Sequence, residues 1–177
     1  RRSSRQGNSL ESDRLILETE HAYYQVAGRL GFDVISSDLY VESGRLQSKT
    51  ASLWMPRFDR VVGHDGMERC AVESLYSIAG VIEPGATVAH STYLKQLAHL
   101  WNEYDQTDEV ESMVQEYLRR DLLNVVLGNS DNHGRNTSVL RQNSGVYLAP
   151  VYDLAPMVLD EAGITRTSRW HVDNEVG

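Results

Sequence analysis

The stretch from Leu122 to Met157, LLNVVLGNSDNHGRNTSVLRQNSGVYLAPVYDLAPM, constrains this chain more than any other. Its apolar lead-in, Leu122, Leu123, Val125, Val126 and Leu127, reads as the end of a buried helix. GNSDNHGRN does not continue that helix well, because Gly, Asn and Asp favour caps and turns over helix interiors. Thr137 to Leu140 then reads as a short strand, Gln142-Asn143-Ser144-Gly145 as a turn, and Val146 to Ala149 as the returning strand. The order is helix, polar loop, hairpin, then Tyr152-Asp153, with Asp131, His133 and Asn136 all inside the loop.

Such a layout suits phosphoryl transfer. In a kinase catalytic loop an Asp orients the acceptor hydroxyl and an Asn five positions on binds one magnesium. An Asp just past a hairpin holds the metal that bridges the phosphates. Asp131 and Asn136 have that spacing, and Asp153 follows the hairpin. Magnesium takes hard oxygen ligands and usually only one or two protein carboxylates, so one Asn and one Asp suffice. An Asp–Asn pair is also ordinary turn chemistry; the spacing, the hairpin and the second Asp together favour the chemical reading.

GNSDNHGRN followed by YLAPVYDLAPM resembles the catalytic segment of the HipA-type serine/threonine kinases, the toxin half of bacterial toxin–antitoxin pairs. The family pattern is close to GN-x-D-x-H-x-x-N and then LAP-x-YD. The resemblance implies that Asp131 is the catalytic base, that His133 and Tyr152 lie with the nucleotide, and that Asn136 and Asp153 bind magnesium. Asp153-Leu154-Ala155 lacks the Phe and Gly of eukaryotic kinases but agrees with the HipA pattern. Arg57-Phe58-Asp59-Arg60 matches the family just after the hinge between two lobes, implying that Trp54, Met55, Arg57 and Phe58 line the nucleotide base. Core packing is the alternative for Phe58. Pro56, which lacks an N–H, stands where the family commonly has an acidic residue. TEHAYYQVAGRLGFDV resembles the family's glutamate-bearing helix. Glu20 is the candidate partner of a nucleotide-binding lysine, Glu18 the alternative, and a solvated glutamate the plain reading.

The fold class this implies is α+β and protein-kinase-like. Residues 1–9 read as a basic tail or loop, 10–56 as a remnant of the small lobe running to the hinge, and 57–177 as a mostly helical catalytic lobe, incomplete at its C-terminus. GxGxxG and GxxxxGK are absent, and no lysine precedes the Glu20 helix. In the family those features come before the segment that opens here. The chain is therefore expected to be the middle of a longer protein and to transfer phosphate poorly alone.

Periodicity supplies the other elements. Ser12 to Leu30 reads as a helix with Leu15, Ala22, Val26 and Leu30 near one face, Ser12 as N-cap and Gly31 at C′. Val34–Val41 and Thr50–Met55 read as strands around a turn at Gly44, Val62–Gly66 as a tight turn, and Glu68–Ile78 as a strand then a helix. Thr92–Glu103 reads as a helix with Leu94, Leu97, Ala98 and Trp101 inward, and Thr107 to Leu127 as another. His64 and His90 have no partner at metal-ligand spacing and are expected on the surface, as is Arg119-Arg120. After Asp153 the chain enters the region expected to meet a peptide substrate. There Thr165, Thr167 and Ser168 read as generic loop hydroxyls, and Arg166 and Arg169 carry no site role.

Charge and cysteine content bound the function. The net charge of −8 and a pI near 5.2 argue against direct nucleic-acid binding. A single cysteine, Cys70, excludes an internal disulfide and fits a reducing cytoplasm. No apolar run reaches the ~20 residues of a membrane span. By resemblance the partners are ATP, magnesium, a protein substrate and a DNA-binding antitoxin. A non-catalytic pseudokinase or binding module, and a metal-dependent nuclease using the same acidic residues, are the alternatives.

Overall fold

The computed structural model describes residues 11–43, 49–64, 66–142, 145–157 and 166–170. The basic stretch 1–9, the turn at Gly44, Asp65, Asn143-Ser144 and Thr165 lie outside these residues. Helix α1 spans Glu11–Arg29, so Ser12 sits inside it rather than capping it. Gly31 ends it as expected: its φ is +80°, its N–H reaches the Gly28 carbonyl and the Phe32 N–H reaches that of Ala27. This paired bonding is a Schellman stop.

The buried face of α1 differs from the expected one. Leu15, Ala22, Val26 and Leu30 all face out, whereas Leu17, Glu20, Tyr24 and Ala27 are buried. The helix turns its Glu20–Tyr24 side inward because those polar groups bond to each other and to the chain beyond Asp153, which an apolar stripe cannot do. Strands β1 (Asp38–Ser43) and β2 (Lys49–Trp54) form an antiparallel pair under α1. Val34 to Ser37 do not extend β1 as expected. The Ile35 N–H instead donates to Val151 O at 3.0 Å, and the Val151 N–H to Asp33 O at 2.8 Å, giving an isolated parallel bridge between Val34 and Val151.

Strands β3 (Arg60–Gly63) and β4 (Gly66–Arg69) make the hairpin expected around residue 64. Next come β5 (Ala71–Ser74), the single-turn helix α2 (Leu75–Ile78), β6 (Val88–Ala89) and α3 (His90–Glu103). A 3-10 turn over Thr107–Glu109 leads into α4 (Val110–Val126), and then β7 (Ser138–Gln142) and β8 (Gly145–Leu148) form the expected hairpin. That hairpin is not alone: β5 pairs antiparallel with β7, making a three-stranded sheet ordered β5-β7-β8. A last short strand, β9 (Ser168–Arg169), runs parallel to β6.

Two apolar clusters hold these elements. One joins Leu17, Tyr24, Ala27, Ile35, Ala51 and Leu53 to Leu123, Val151 and Leu154. The other joins Leu75, Tyr76, Tyr93, Leu97 and Trp101 to Met113, Tyr117, Val139 and Val146, with Leu94 and Ala98 packed against it. The apolar end of α4 is only half used: Leu123 is buried, but Leu122, Val125 and Val126 are exposed.

Two charged residues expected at the surface are inside. Arg120 is buried because Nη1 donates to Ala149 O at 2.6 Å and Nε to Glu116 Oε1 at 2.8 Å; Arg119 is exposed and lies over the Phe32 ring at 4.5 Å. His90 is 1% exposed. Its Nδ1 is 2.7 Å from the Tyr117 hydroxyl, its ring stacks on Trp170 at 4.6 Å, and its Nε2 is 3.5 Å from Asp121. His64 is exposed, as expected.

Burial lowers the His90 pKa, with Arg166 adding to the effect and Asp121 opposing it. A histidine depressed in the folded state binds fewer protons there than in the unfolded chain. Its contribution is therefore complete above about pH 6.5 and is lost as pH falls toward the folded value. The His90 contribution to stability should fall below about pH 6.5, by at most about 1.4 kcal/mol per pH unit, and the melting temperature with it. Thermal melts from pH 8 to 5 should show a shallower fall in His90→Gln; equal slopes would refute the assignment.

Candidate active site

The polar loop starts at a second Schellman stop. Gly128 has φ +67°, its N–H donates to Val125 O at 3.2 Å, and the Asn129 N–H donates to Asn124 O at 2.9 Å. A side chain at that φ is strained, so glycine fixes where α4 ends. Asn129 is 3% exposed. Its Nδ2 donates to Asn124 Oδ1 at 2.7 Å and to the Asp153 carbonyl at 3.2 Å. One buried amide thereby joins the helix end to the residue expected to bind metal.

The next residues fold as one tight turn around the Asp131 carbonyl. That oxygen accepts the His133 N–H at 2.9 Å and Asn136 Nδ2 at 2.7 Å, leaving Asn136 Oδ1 as the amide's remaining acceptor. The Asn136 N–H closes the turn on His133 O at 2.8 Å. His133 Nε2 is 3.6 Å from Asp131 Oδ1, and its ring stacks on Tyr76 at 5.9 Å. The loop is pinned from below by α2: the Tyr76 N–H donates to Gly134 O at 3.1 Å and the Leu75 N–H to Thr137 O at 3.0 Å.

Asp153 has φ +55°, a left-handed conformation uncommon outside glycine and best tolerated by Asp and Asn. Strain of this kind survives only where the surroundings over-determine it, and it clusters at functional sites. Here Asn129 holds the Asp153 carbonyl, and the Leu154 N–H donates to the Tyr24 hydroxyl at 3.3 Å. The same hydroxyl donates to Glu20 Oε1 at 3.3 Å. Burial, reinforced by the Glu20 charge, raises the Tyr24 pKa, so it stays a neutral donor. Glu20 is 1% exposed; it is not a solvated glutamate. Glu18 pairs instead with Arg14.

A cleft of about 490 Å³ opens between these groups, lined by Glu20, Ile35, Met55, Pro56, Arg57, Phe58, Asp59, Val72, Tyr152 and Asp153. That volume lies in the range of small-molecule sites. Phe58 stacks on Tyr152 at 5.2 Å and 30°. The Arg57 guanidinium forks onto Asp59 at 2.8 and 2.7 Å and holds the Asp59 carboxyl below the usual carboxylate range. The Tyr152 hydroxyl, its pKa raised by burial, donates to Arg135 O at 2.6 Å and lies 2.6 Å from Ser138 Oγ. Tyr152 therefore joins the cleft to the loop.

Glu20, Met55, Arg57, Phe58, Tyr152 and Asp153 thus meet in one cleft. Asn136 lines a separate small crevice, which shares Tyr152 with the cleft. Asp131 and His133 stay with Asn136 in the loop and do not line the cleft. Trp54 departs from expectation: it is 62% exposed, meets Tyr40 edge-on at 6.4 Å and lies outside the cleft. In β2 Ala51 and Leu53 face the first core, and alternation along the strand puts Trp54 on the other side. Ile35, Val72 and Tyr24 complete the site without having been singled out by the sequence, and Pro56 and Asp59, named there only with the hinge motif, line the cleft as well. Asn129 stood inside the GN-x-D motif without an assigned role.

The sequence profile of the HipA-like C-terminal domain matches residues 6–175. A Haemophilus influenzae protein named "Putative kinase" is 29% identical over 157 residues, which is 85% of this chain and 45% of that protein. The Shewanella oneidensis MR-1 toxin–antitoxin protein HipA, solved with HipB and its operator DNA, superposes with a TM-score of 0.63 at 22% identity, over 90% of this chain and 39% of the other. The Helicobacter pylori proinflammatory kinase CtkA superposes with a TM-score of 0.54 at 14% identity, over 85% and 46%. The chain spans less than half the length of each of these relatives. The fold is the kinase-like fold expected from the sequence, and the chain belongs to the HipA-like C-terminal domain family.

Proposed function

We propose that the chain is the catalytic part of an ATP- and magnesium-dependent serine/threonine protein kinase of the HipA type. The observation that carries this reading is the meeting of Glu20, the hinge residues Met55, Arg57 and Phe58, and Tyr152-Asp153 in one cleft, which Tyr152 ties to the loop bearing Asp131 and Asn136. Phe58 and Tyr152 offer the base an aromatic wall. Asp153 supplies a carboxylate and Asn136 an amide oxygen, a donor set that fits magnesium. Magnesium, when bound, neutralises charge developing on the phosphates. Asp131 orients the acceptor hydroxyl and takes its proton, and His133 steadies the phosphate side. Glu20 is placed to pair with a lysine from outside this chain.

The partners in this reading are a protein substrate and a DNA-binding antitoxin. The HipB and operator DNA bound to the Shewanella HipA support the latter, while the net charge of −8 gives this chain no general affinity for DNA. The described residues hold no helix long and apolar enough to cross a membrane, and a lone Cys70 suits the cytoplasm.

The test is transfer of labelled γ-phosphate by the full-length protein. Transfer with magnesium, abolished by EDTA and restored by added magnesium, is the expected result. ATP binding without transfer would replace the kinase with a pseudokinase. Absence of ATP binding would overturn the nucleotide site itself.

A further inference from the structure

Asp121 lies on α4 outside the cleft and is 8% exposed. A carboxylate removed from water needs paired charge and hydrogen bonds to offset its desolvation. Here the partners come from separate parts of the chain. Arg166 Nη2 donates to Oδ1, and the Trp170 indole N–H donates to Oδ2 at 2.9 Å. Asn132 Nδ2 donates to Oδ1 at 3.3 Å. His90 stands 3.5 Å away, stacked against Trp170.

These partners belong to two functional regions. Asn132 directly follows Asp131 in the polar loop. Arg166 and Trp170 bracket β9, which is held on β6 by the Val88 N–H donating to Thr167 O at 3.1 Å. Ser168, read from sequence as a loop hydroxyl, is 4% exposed within that strand. One carboxylate thus grips the segment beyond Asp153 and the loop that carries Asp131.

We propose that Asp121 is a positioning residue that seats segment 166–170 and the Asp131 loop as one unit, so that the acceptor side of the site is ordered only while that segment is docked. This rests on the kinase reading for its catalytic meaning, but the coupling itself does not depend on it. If Arg166 leaves, the undercompensated Asp121 carboxylate must recruit water, which competes with the Asn132 amide for Oδ1. Asn132 is the donor belonging to the loop, so the loop should loosen.

The experiment is amide hydrogen exchange on the full-length protein, comparing wild type with Arg166→Met, which keeps the apolar stem but removes the charge. Exchange at Val88 and across 167–170 should accelerate by roughly tenfold or more, and the His133 and Asn136 amides, both bonded inside the loop, should accelerate with it. Acceleration confined to 88 and 167–170, or none at all, would overturn the proposal. Asp121→Asn serves as a second variant, and each variant is used only where thermal melting shows it folded. A catalytic arm uses a degenerate Ser/Thr peptide pool as acceptor and a fluorescent ATP analogue as binding probe. Arg166→Met should bind the analogue within about twofold of wild type yet transfer phosphate about tenfold more slowly. Unchanged transfer despite a loosened loop would overturn the positioning role. Failure of wild type to transfer phosphate would sink the kinase reading while leaving the exchange result to decide the coupling.

Discussion

Asp153→Asn is expected to reduce magnesium-dependent phosphoryl transfer by about 10²–10⁴-fold, corresponding to the several kcal/mol that metal-borne charge stabilisation supplies. The choice of asparagine matters. Asp153 sits at φ +55°, where Asn is tolerated and Ala adds strain. The Asn129 and Leu154 contacts at this position use backbone atoms of the chain, not the carboxylate. The substitution therefore removes the charge while keeping these two contacts. Nucleotide binding should weaken mainly in the presence of magnesium, and melting temperature should change little. Asp131→Ala should cost a similar 10²–10⁴-fold, the usual worth of a positioned general base, but with ATP and magnesium affinity retained, since Asp131 does not line the cleft and holds Asn136 through its backbone carbonyl, which alanine keeps. Transfer assays at saturating ATP with a magnesium titration separate the two. Wild-type rates in either variant would remove that residue from the mechanism.

The second large effect is on stability. Gly134 is buried in the loop, and a Cβ there would lie 2.3 Å from Tyr76 Cδ1 and 2.5 Å from the Tyr93 hydroxyl. Neither ring has room to retreat, as Tyr76 is 2% and Tyr93 1% exposed, both within the second core. Gly134→Ala therefore overpacks the junction of α2, α3 and the loop. A cost of roughly 3 kcal/mol, at the upper end of such changes, corresponds to a Tm lower by roughly 6–12 °C for a chain of this size. Tyr93→Phe in the same background removes one clashing oxygen and should recover part of the loss. A Gly134→Ala protein that melts with the wild type would show that the loop stands further from Tyr76 than described.

The loop and hairpin were legible because their signals are local. Gly128, the Asn-rich turn and the two short apolar runs each dictate their own backbone, and β7 and β8 lie close to the expected positions. The third strand was not legible as a partner, since β5 pairs with β7 across more than sixty residues and Ala71–Ser74 announces no register. Helix α1 misled for a different reason. Its most apolar residues point outward, and the face it buries contains Glu20 and Tyr24, whose polar groups bond within the site. Composition ranks such residues as surface, and only their distant partners make burial tolerable. His90, Arg120 and Asp121 follow the same rule. Each is inside because a carbonyl, a carboxylate or an indole from a remote segment meets it. The cleft residues taken from the RFDR and YD motifs fell together, whereas Trp54 was lost to strand alternation.

The first core also sets an order of events during synthesis. Leu17, Tyr24 and Ala27 pack with Val151 and Leu154, so α1 leaves the ribosome long before the residues that cover it exist. At roughly 5–20 residues per second the wait is about 6–25 s. For that interval the helix can pair with β1 and β2, but the Glu20–Tyr24 side has no Leu154 amide to bind. Until the segment around Val151 and Leu154 emerges, the helix must hold this half-polar side without the native partners that cover it in the folded chain.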